Sequence, residues 1–241
     1  MSVVGFSDHA PFPDGRYDSS RMAFSELEAY CAEIDEARAA YPGLVVLKGF
    51  EVDYFPSVGK AFYEDTLLER CHADYLLAGT HFLEPFESAV NQWNDANRFG
   101  ASEVRRHVES HIAAMETGLF TYMAHPDTFG RCCPAWTPEI RAVCADFIDT
   151  AITLEVPLEL NAYGLRKPPV SMPEGLRPQY PWRPFWELAA EKRAPVVIGA
   201  DAHHPVDVWG NSDDLLVLAA DLGLDVLNQK IADAIRQRRS I

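Results

Sequence analysis

An aspartate and a histidine, Asp201 and His203, stand just beyond the β-branched run Val196-Val197-Ile198, with Gly199 and Ala200 removing bulk between them. A run of that kind reads as a strand buried on both faces. A buried parallel strand that ends in Asp-x-His is how an α/β barrel offers a hard carboxylate and an imidazole to a metal ion at its active face. The same arrangement recurs along the chain. His9, Glu51, His81, His125 and Asn161 each lie at or just past the end of an apolar run. Taken singly, each has an ordinary explanation. His9 could cap a following helix, Glu51 could pair with a surface lysine, and His81 and His125 could be buried with backbone partners. Parallel strands bring their C-terminal ends to one face, so jointly these side chains point to a metal centre. Imidazole with carboxylate suits Zn, Mn or Fe, and Glu51 could bridge two ions roughly 3.5–4 Å apart, as in two-metal phosphoryl chemistry.

Two other groups carry less. His107 and His111 are four apart on an expected helix, but Val108 follows the first and the acid is Glu109, so H-E-x-x-H is not met. They read as surface or semi-buried histidines. The five cysteines (Cys31, Cys71, Cys132, Cys133, Cys144) show no C-x-x-C spacing and read as reduced thiols. Soft ligation by the vicinal pair Cys132-Cys133 is an outlying option.

The elements that must position these groups alternate strand and helix, which favours a parallel sheet. Strands are expected at Ser2–Phe6, Leu44–Phe50, Tyr75–Gly79, Phe120–Ala124, Pro157–Leu160 and Pro195–Ala200. Helices are expected from Ser25 to about Tyr41, over Ala61–Cys71, within a polar helical region after His81 that is best defined from Ser102, from the cap Thr137-Pro138 to about Leu154, and up to about Arg193. Two C-terminal helices are expected, split at Gly223–Asp225. Ala162–Pro184 holds six prolines and reads as a long loop covering substrate.

The 241 residues suit one domain, 1–241, with a sizeable core. A net charge of −15 argues against a nucleic-acid backbone or an anionic membrane as partner, while leaving room for a small phosphorylated metabolite in a metal-rich pocket. No apolar run approaches the ~18–20 residues that span a bilayer, and Met1–Phe6 is too short for a signal peptide. The expected location is cytoplasmic.

Gly5-Phe6-Ser7-Asp8-His9, Gly49-Phe50-Glu51, Gly79-Thr80-His81, His125-Pro126-Asp127 and Gly199-Ala200-Asp201-Ala202-His203 resemble, in order, the motifs of the polymerase-and-histidinol-phosphatase (PHP) superfamily. Glu159-Leu160-Asn161 with Gly164-Leu165-Arg166-Lys167 resembles its histidinol-phosphate phosphatase branch. The resemblance covers about residues 3–205. It implies a distorted (β/α)7 barrel, hydrolysis of phosphate esters and two to three divalent ions. By that resemblance Glu51 bridges the first and second ions, His81 and His125 complete the second, Asp201 binds the first, and His9 and His203 bind the third. The family opens with a strand bearing H-x-H, and here Met1 stands directly before what resembles its second strand. About six parallel strands are therefore expected, with exposed edges at Ser2–Phe6 and Pro195–Ala200 that invite self-association. A mis-assigned start and a degenerate member both fit this departure.

The expected activity is hydrolysis of a small phosphomonoester, L-histidinol phosphate by resemblance, with Glu51 and Asp201 at the catalytic centre. Arg166 offers a bidentate fork for phosphate, with Lys167 less inclined to point inward and Asn161 nearby. A catalytically impaired metal-binding protein and a phosphoesterase of nucleotide-type substrates are the alternatives.

Overall fold

The computed structural model describes residues 2–83, 92–93 and 98–239. The polar region expected to be helical after His81 falls in part on 84–91 and 94–97, outside the described residues.

A curled parallel sheet of seven strands forms a half-barrel in the order β1-β2-β3-β4-β5-β8-β9. The strands are β1 (Val3–His9), β2 (Val45–Val52), β3 (Tyr75–Ala78), β4 (Tyr122–Met123), β5 (Leu158–Asn161), β8 (Pro195–Gly199) and β9 (Asp225–Val226). Between them run α1 (Leu27–Ala40), a π-helix over Phe62–Arg70, α2 (Ala101–Glu116), α3 (Pro138–Thr153), α5 (Arg183–Lys192) and α6 (Ser212–Leu222), and α7 (Asn228–Arg239) closes the chain. Among the described residues no helix is long and apolar enough to cross a membrane.

Period-two alternation divides the core. Along β2, Phe50 and Val52 face the helices in the larger apolar cluster, while Leu47 faces the inside of the curl with Tyr75, Leu77, Ala124 and Ile235. Glu51 therefore points inward by strand geometry alone. The inner face is filled by Tyr75, whose ring lies against Gly5 and Gly49: a Cβ on either would approach it to 2.5 Å. Thr137 caps α3 as expected, its hydroxyl accepting from the Ile140 N–H at 3.3 Å, with Pro138 opening the helix.

Four expectations are corrected. The main sheet has seven strands rather than about six, because the break between the C-terminal helices holds β9, which pairs with Pro195 and Val196. For the same reason the β8 edge is not bare. Leu227 N–H donates to the Val196 carbonyl (2.8 Å), and the Asn228 amide serves both the N–H (2.8 Å) and the carbonyl (2.7 Å) of Ile198, as a neighbouring strand would. The stretch 162–184 is structured: α4 (Tyr163–Arg166) precedes a hairpin of β6 (Val170–Met172) and β7 (Gly175–Arg177). His107 and His111 are core rather than surface, each about 1% exposed, because α2 is packed against α3 and the aromatic side chains beneath it.

The outer edge of β1 has no strand partner among the described residues. An apolar-lined cavity of about 380 Å³ opens there, between Val3 and Gly5 on one side and Val197, Ile198 and α7 on the other.

Candidate metal centre

The register of the sheet aligns His9 with Glu51 on neighbouring strands, and Glu51 with Leu77 on the next. His81 and His125 follow β3 and β4 by a few residues, so all four side chains meet at the C-terminal mouth. Glu51 lies at the centre. Its Oε1 is 2.7 Å from His125 Nε2 and 3.2 Å from His81 Nε2, and its Oε2 is 3.8 Å from His9 Nε2. Ligand atoms of His9, Glu51 and His81 all fall within 4.8 Å of one another. The rings of His9 and His81 are 4.5 Å apart, and those of His81 and His125 4.9 Å. Gly79 makes this convergence possible. A Cβ there would overlap Glu51 Oε1 and press on Cε1 of His81 and His125 at 3.0 Å.

Burial works to raise the Glu51 carboxyl, but the imidazoles of His125 and His9 outweigh it and hold it well below the usual range. Burial likewise disfavours charge on His81, yet Asp53 and Glu51 push its pKa up to about 10. His9 is shifted down by burial and by the neighbouring His81. Nδ1 of His9 and of His125 are buried with no hydrogen-bond partner among the described residues. Three imidazoles crowded on one ionised carboxylate form an N,N,N,O donor set that fits a divalent cation of the Zn, Mn or Fe type.

Asp201 and His203 form a second pair, with His203 Nδ1 3.3 Å from Asp201 Oδ1. His203 stacks on Tyr163, with ring centres 4.1 Å apart. This pair is tied to the Glu51 cluster through Asn161. Its amide donates to Glu159 Oε2 (2.9 Å) and to Asp201 Oδ2 (3.0 Å), and Glu159 Oε2 also accepts the His125 N–H (2.9 Å). His125 and Asp201 both sit at positive φ, 29° and 46°, the sparsely populated backbone typical of functional positions. Burial and the nearby Asp201 raise the Glu159 carboxyl to about 7, against the opposing pull of His125.

Arg166 does not present the open fork expected of it. Nη1 donates to the Gly210 carbonyl (2.8 Å) and Nη2 to the carbonyls of Ala200 (2.6 Å) and Asp201 (2.9 Å). The guanidinium ties the loop after β8 in place. Lys167 is the more available cation, its amine 4.2 Å from the Tyr163 ring centre and 5.2 Å from that of Trp93.

Sequence reasoning missed Asp53 and Arg21, and quoted Glu159 in a motif without giving it a role. Glu159 had a signal, since it lies two residues before Asn161 and so on the same strand face. Asp53 accepts from the His81 N–H (2.6 Å) and the Phe82 N–H (3.1 Å), and its Oδ2 lies 2.9 Å from Arg21 Nη2 and 3.2 Å from His81 Nδ1.

With that geometry in hand, the chain can be set beside known proteins. A Deinococcus radiodurans protein named a probable histidinol-phosphatase is 28% identical over 232 residues, which covers 92% of this chain and 83% of the relative. A solved structure from Lactococcus lactis, histidinol phosphate phosphatase with zinc, L-histidinol and phosphate, superposes with a TM-score of 0.59 at 14% identity, covering 94% of this chain and 84% of that one. A Listeria monocytogenes structure, itself provisionally assigned as a histidinol phosphatase, gives 0.64 at 19% identity and 88% of each chain. This chain shares their fold. No protein-family model matches it.

Proposed function

We propose that this chain is a metal-dependent phosphomonoester hydrolase whose substrate is L-histidinol phosphate. The observation that carries the reading is the convergence of His9, His81 and His125 on the buried Glu51 at the mouth of the sheet, in a chain similar over 232 residues to a probable histidinol-phosphatase. We take residues 1–241 as one domain, a distorted (β/α)-type barrel of the PHP kind.

Glu51 with His81 and His125 would hold one ion, His9 would reach the same cluster from β1, and Asp201 with His203 would supply further ligands. Bound divalent ions of this kind neutralise phosphoryl charge and make water nucleophilic at neutral pH. The protein's own side chains do the positioning. Asn161 holds the Asp201 carboxylate against Glu159, and Arg166 fixes the backbone carbonyl of Asp201. The Lys167 amine, set over Tyr163 and Trp93, supplies a cation for the phosphate. The net charge of −15 supports a small, cationic amino alcohol ester over a polyanion.

The test is phosphate release from L-histidinol phosphate by purified protein with added Zn, Mn or Fe, beside a nucleoside monophosphate and the variant Glu51→Gln. Metal-dependent turnover of the amino alcohol ester, abolished in Glu51→Gln, is expected. Preference for the nucleotide would move the substrate assignment. Metal binding without turnover of either would leave a binding protein in place of the enzyme.

A further inference from the structure

We propose that Asp53, locked by Arg21, fixes the tautomer of His81 and thereby decides which ring nitrogen faces Glu51 and an incoming metal ion. This rests on the metal reading above.

Asp53 follows directly on β2, is about 2% exposed, and is surrounded by donors. Oδ1 takes the backbone N–H groups of His81 and Phe82, so the carboxylate cannot swing. Oδ2 faces Arg21 Nη2 and His81 Nδ1. An ionised carboxylate has acceptors only. Carboxylates flank the His81 ring on both sides, Asp53 at Nδ1 and Glu51 at Nε2, each at 3.2 Å; because Asp53 is fixed by three donors, the Nδ1 proton is the one that stays, and Nε2 is the nitrogen that would give up its proton to a cation. A carboxylate behind a ligating histidine sets ring orientation and tautomer in this manner.

Arg21 makes the arrangement permanent. Its side chain is wholly buried, Nη1 donates to the Ala10 carbonyl at 2.9 Å, and the guanidinium lies 4.8 Å from the Phe12 ring centre. Desolvation offsets most of the attraction in such a buried ion pair, so it adds little net stability. What it does supply is a fixed donor that keeps Asp53 Oδ2 aimed. Both residues are positioning residues.

Asparagine at 53 separates this role from packing. Its oxygen would keep the two backbone N–H groups, and its amide N–H would then face His81 Nδ1. The ring must accept there and carry its proton on Nε2, which closes the metal-facing nitrogen. An Asp→Asn change behind a functional histidine is known to trap the wrong tautomer in this way while leaving geometry intact.

The experiment uses the full chain labelled with ¹⁵N-histidine, with His81 assigned by difference against His81→Gln and zinc alone as the probe. In wild type, with or without zinc, His81 should show an Nδ1 proton bonded to carboxylate, and zinc should be held through Nε2. In Asp53→Asn that proton should vanish while circular dichroism is unchanged, and zinc affinity should fall by about 10- to 100-fold. Zinc affinity within threefold of wild type, or ligation through Nδ1 in wild type, overturns the proposal. If Asp53→Asn fails to fold, the wild-type spectrum decides alone. Should wild type bind no zinc, the metal reading falls and the proposal with it, whereas zinc held through Nδ1 overturns the proposal alone.

Discussion

Gly79→Ala should cripple metal binding out of proportion to its effect on folding. The added methyl overlaps Glu51 Oε1 and meets Cε1 of both His81 and His125 at 3.0 Å, where carbon contacts are comfortable only near 3.5–4.0 Å. Glu51 would have to retreat by roughly 1 Å. It cannot do so freely, because it is buried and its oxygens lie 2.7, 3.2 and 3.8 Å from three imidazoles. Overpacking of this kind costs about 1–3 kcal/mol. For a chain of this length that is roughly 2–4 °C of Tm per kcal/mol. The larger effect falls on the ligand set. Zinc at 1,000 times Kd should stabilise wild type by about 4 kcal/mol, and most of that gain should disappear in the variant. The assay is thermal unfolding with and without zinc, alongside calorimetric zinc titration. Gly43→Ala, with open space around it, is the control. A Gly79→Ala protein with the wild-type zinc-induced Tm increment and wild-type Kd would refute the placement of Glu51 at the centre of the site.

Glu159→Gln should change the pH dependence of metal-free stability. The folded Glu159 carboxyl is raised to about 7 from an ordinary 4.5, so the folded state binds its proton more tightly. Stability then falls as pH rises between those values, by up to roughly 3 kcal/mol, and urea unfolding should show that fall in wild type but not in the glutamine variant. Arg166→Met should lower Tm by releasing the carbonyls of Ala200, Asp201 and Gly210, whereas Lys167→Met should leave Tm within about 2 °C and raise KM for the phosphoester. Asn228→Ala uncovers both backbone groups of Ile198 and should cost about 1–2 kcal/mol in denaturant unfolding, with no change in zinc affinity.

The alternation of strands and helices was legible because each buried run is punctuated by a polar or Gly/Pro break. His9, Glu51, His81 and His125 were legible for the same reason, since a side chain at a parallel strand's end has one face to point toward. The seventh strand was not, because two residues, Asp225 and Val226, carry no periodicity. The prolines of 162–184 suggested an irregular loop, yet Pro173 sits in the turn and the others flank a hairpin whose pairing is set by Val170–Met172 and Gly175–Arg177. His107 and His111 looked polar enough for the surface, and only the packing of α2 against α3 buries them. Asp53 acquires its role from Arg21 and His81, 32 and 28 residues away, a relation that no local pattern encodes. The guanidinium fork expected to face phosphate at Arg166 donates instead to carbonyls of the loop it helps to hold, contacts set by residues 34 to 44 positions away.

A closed ring of strands is stiff because each strand is pinned on both sides. Here the sheet is a half-barrel, open along the outer edge of β1, with the 380 Å³ cavity behind it. That opening divides the mouth into two lips. His9 stands on one, beside Glu51, and Asp201 with His203 on the other. Across that line, no backbone ladder among the described residues sets the spacing of the lips. A ligand that bridges the two sets of side chains would supply the cross-tie that the backbone lacks on that side.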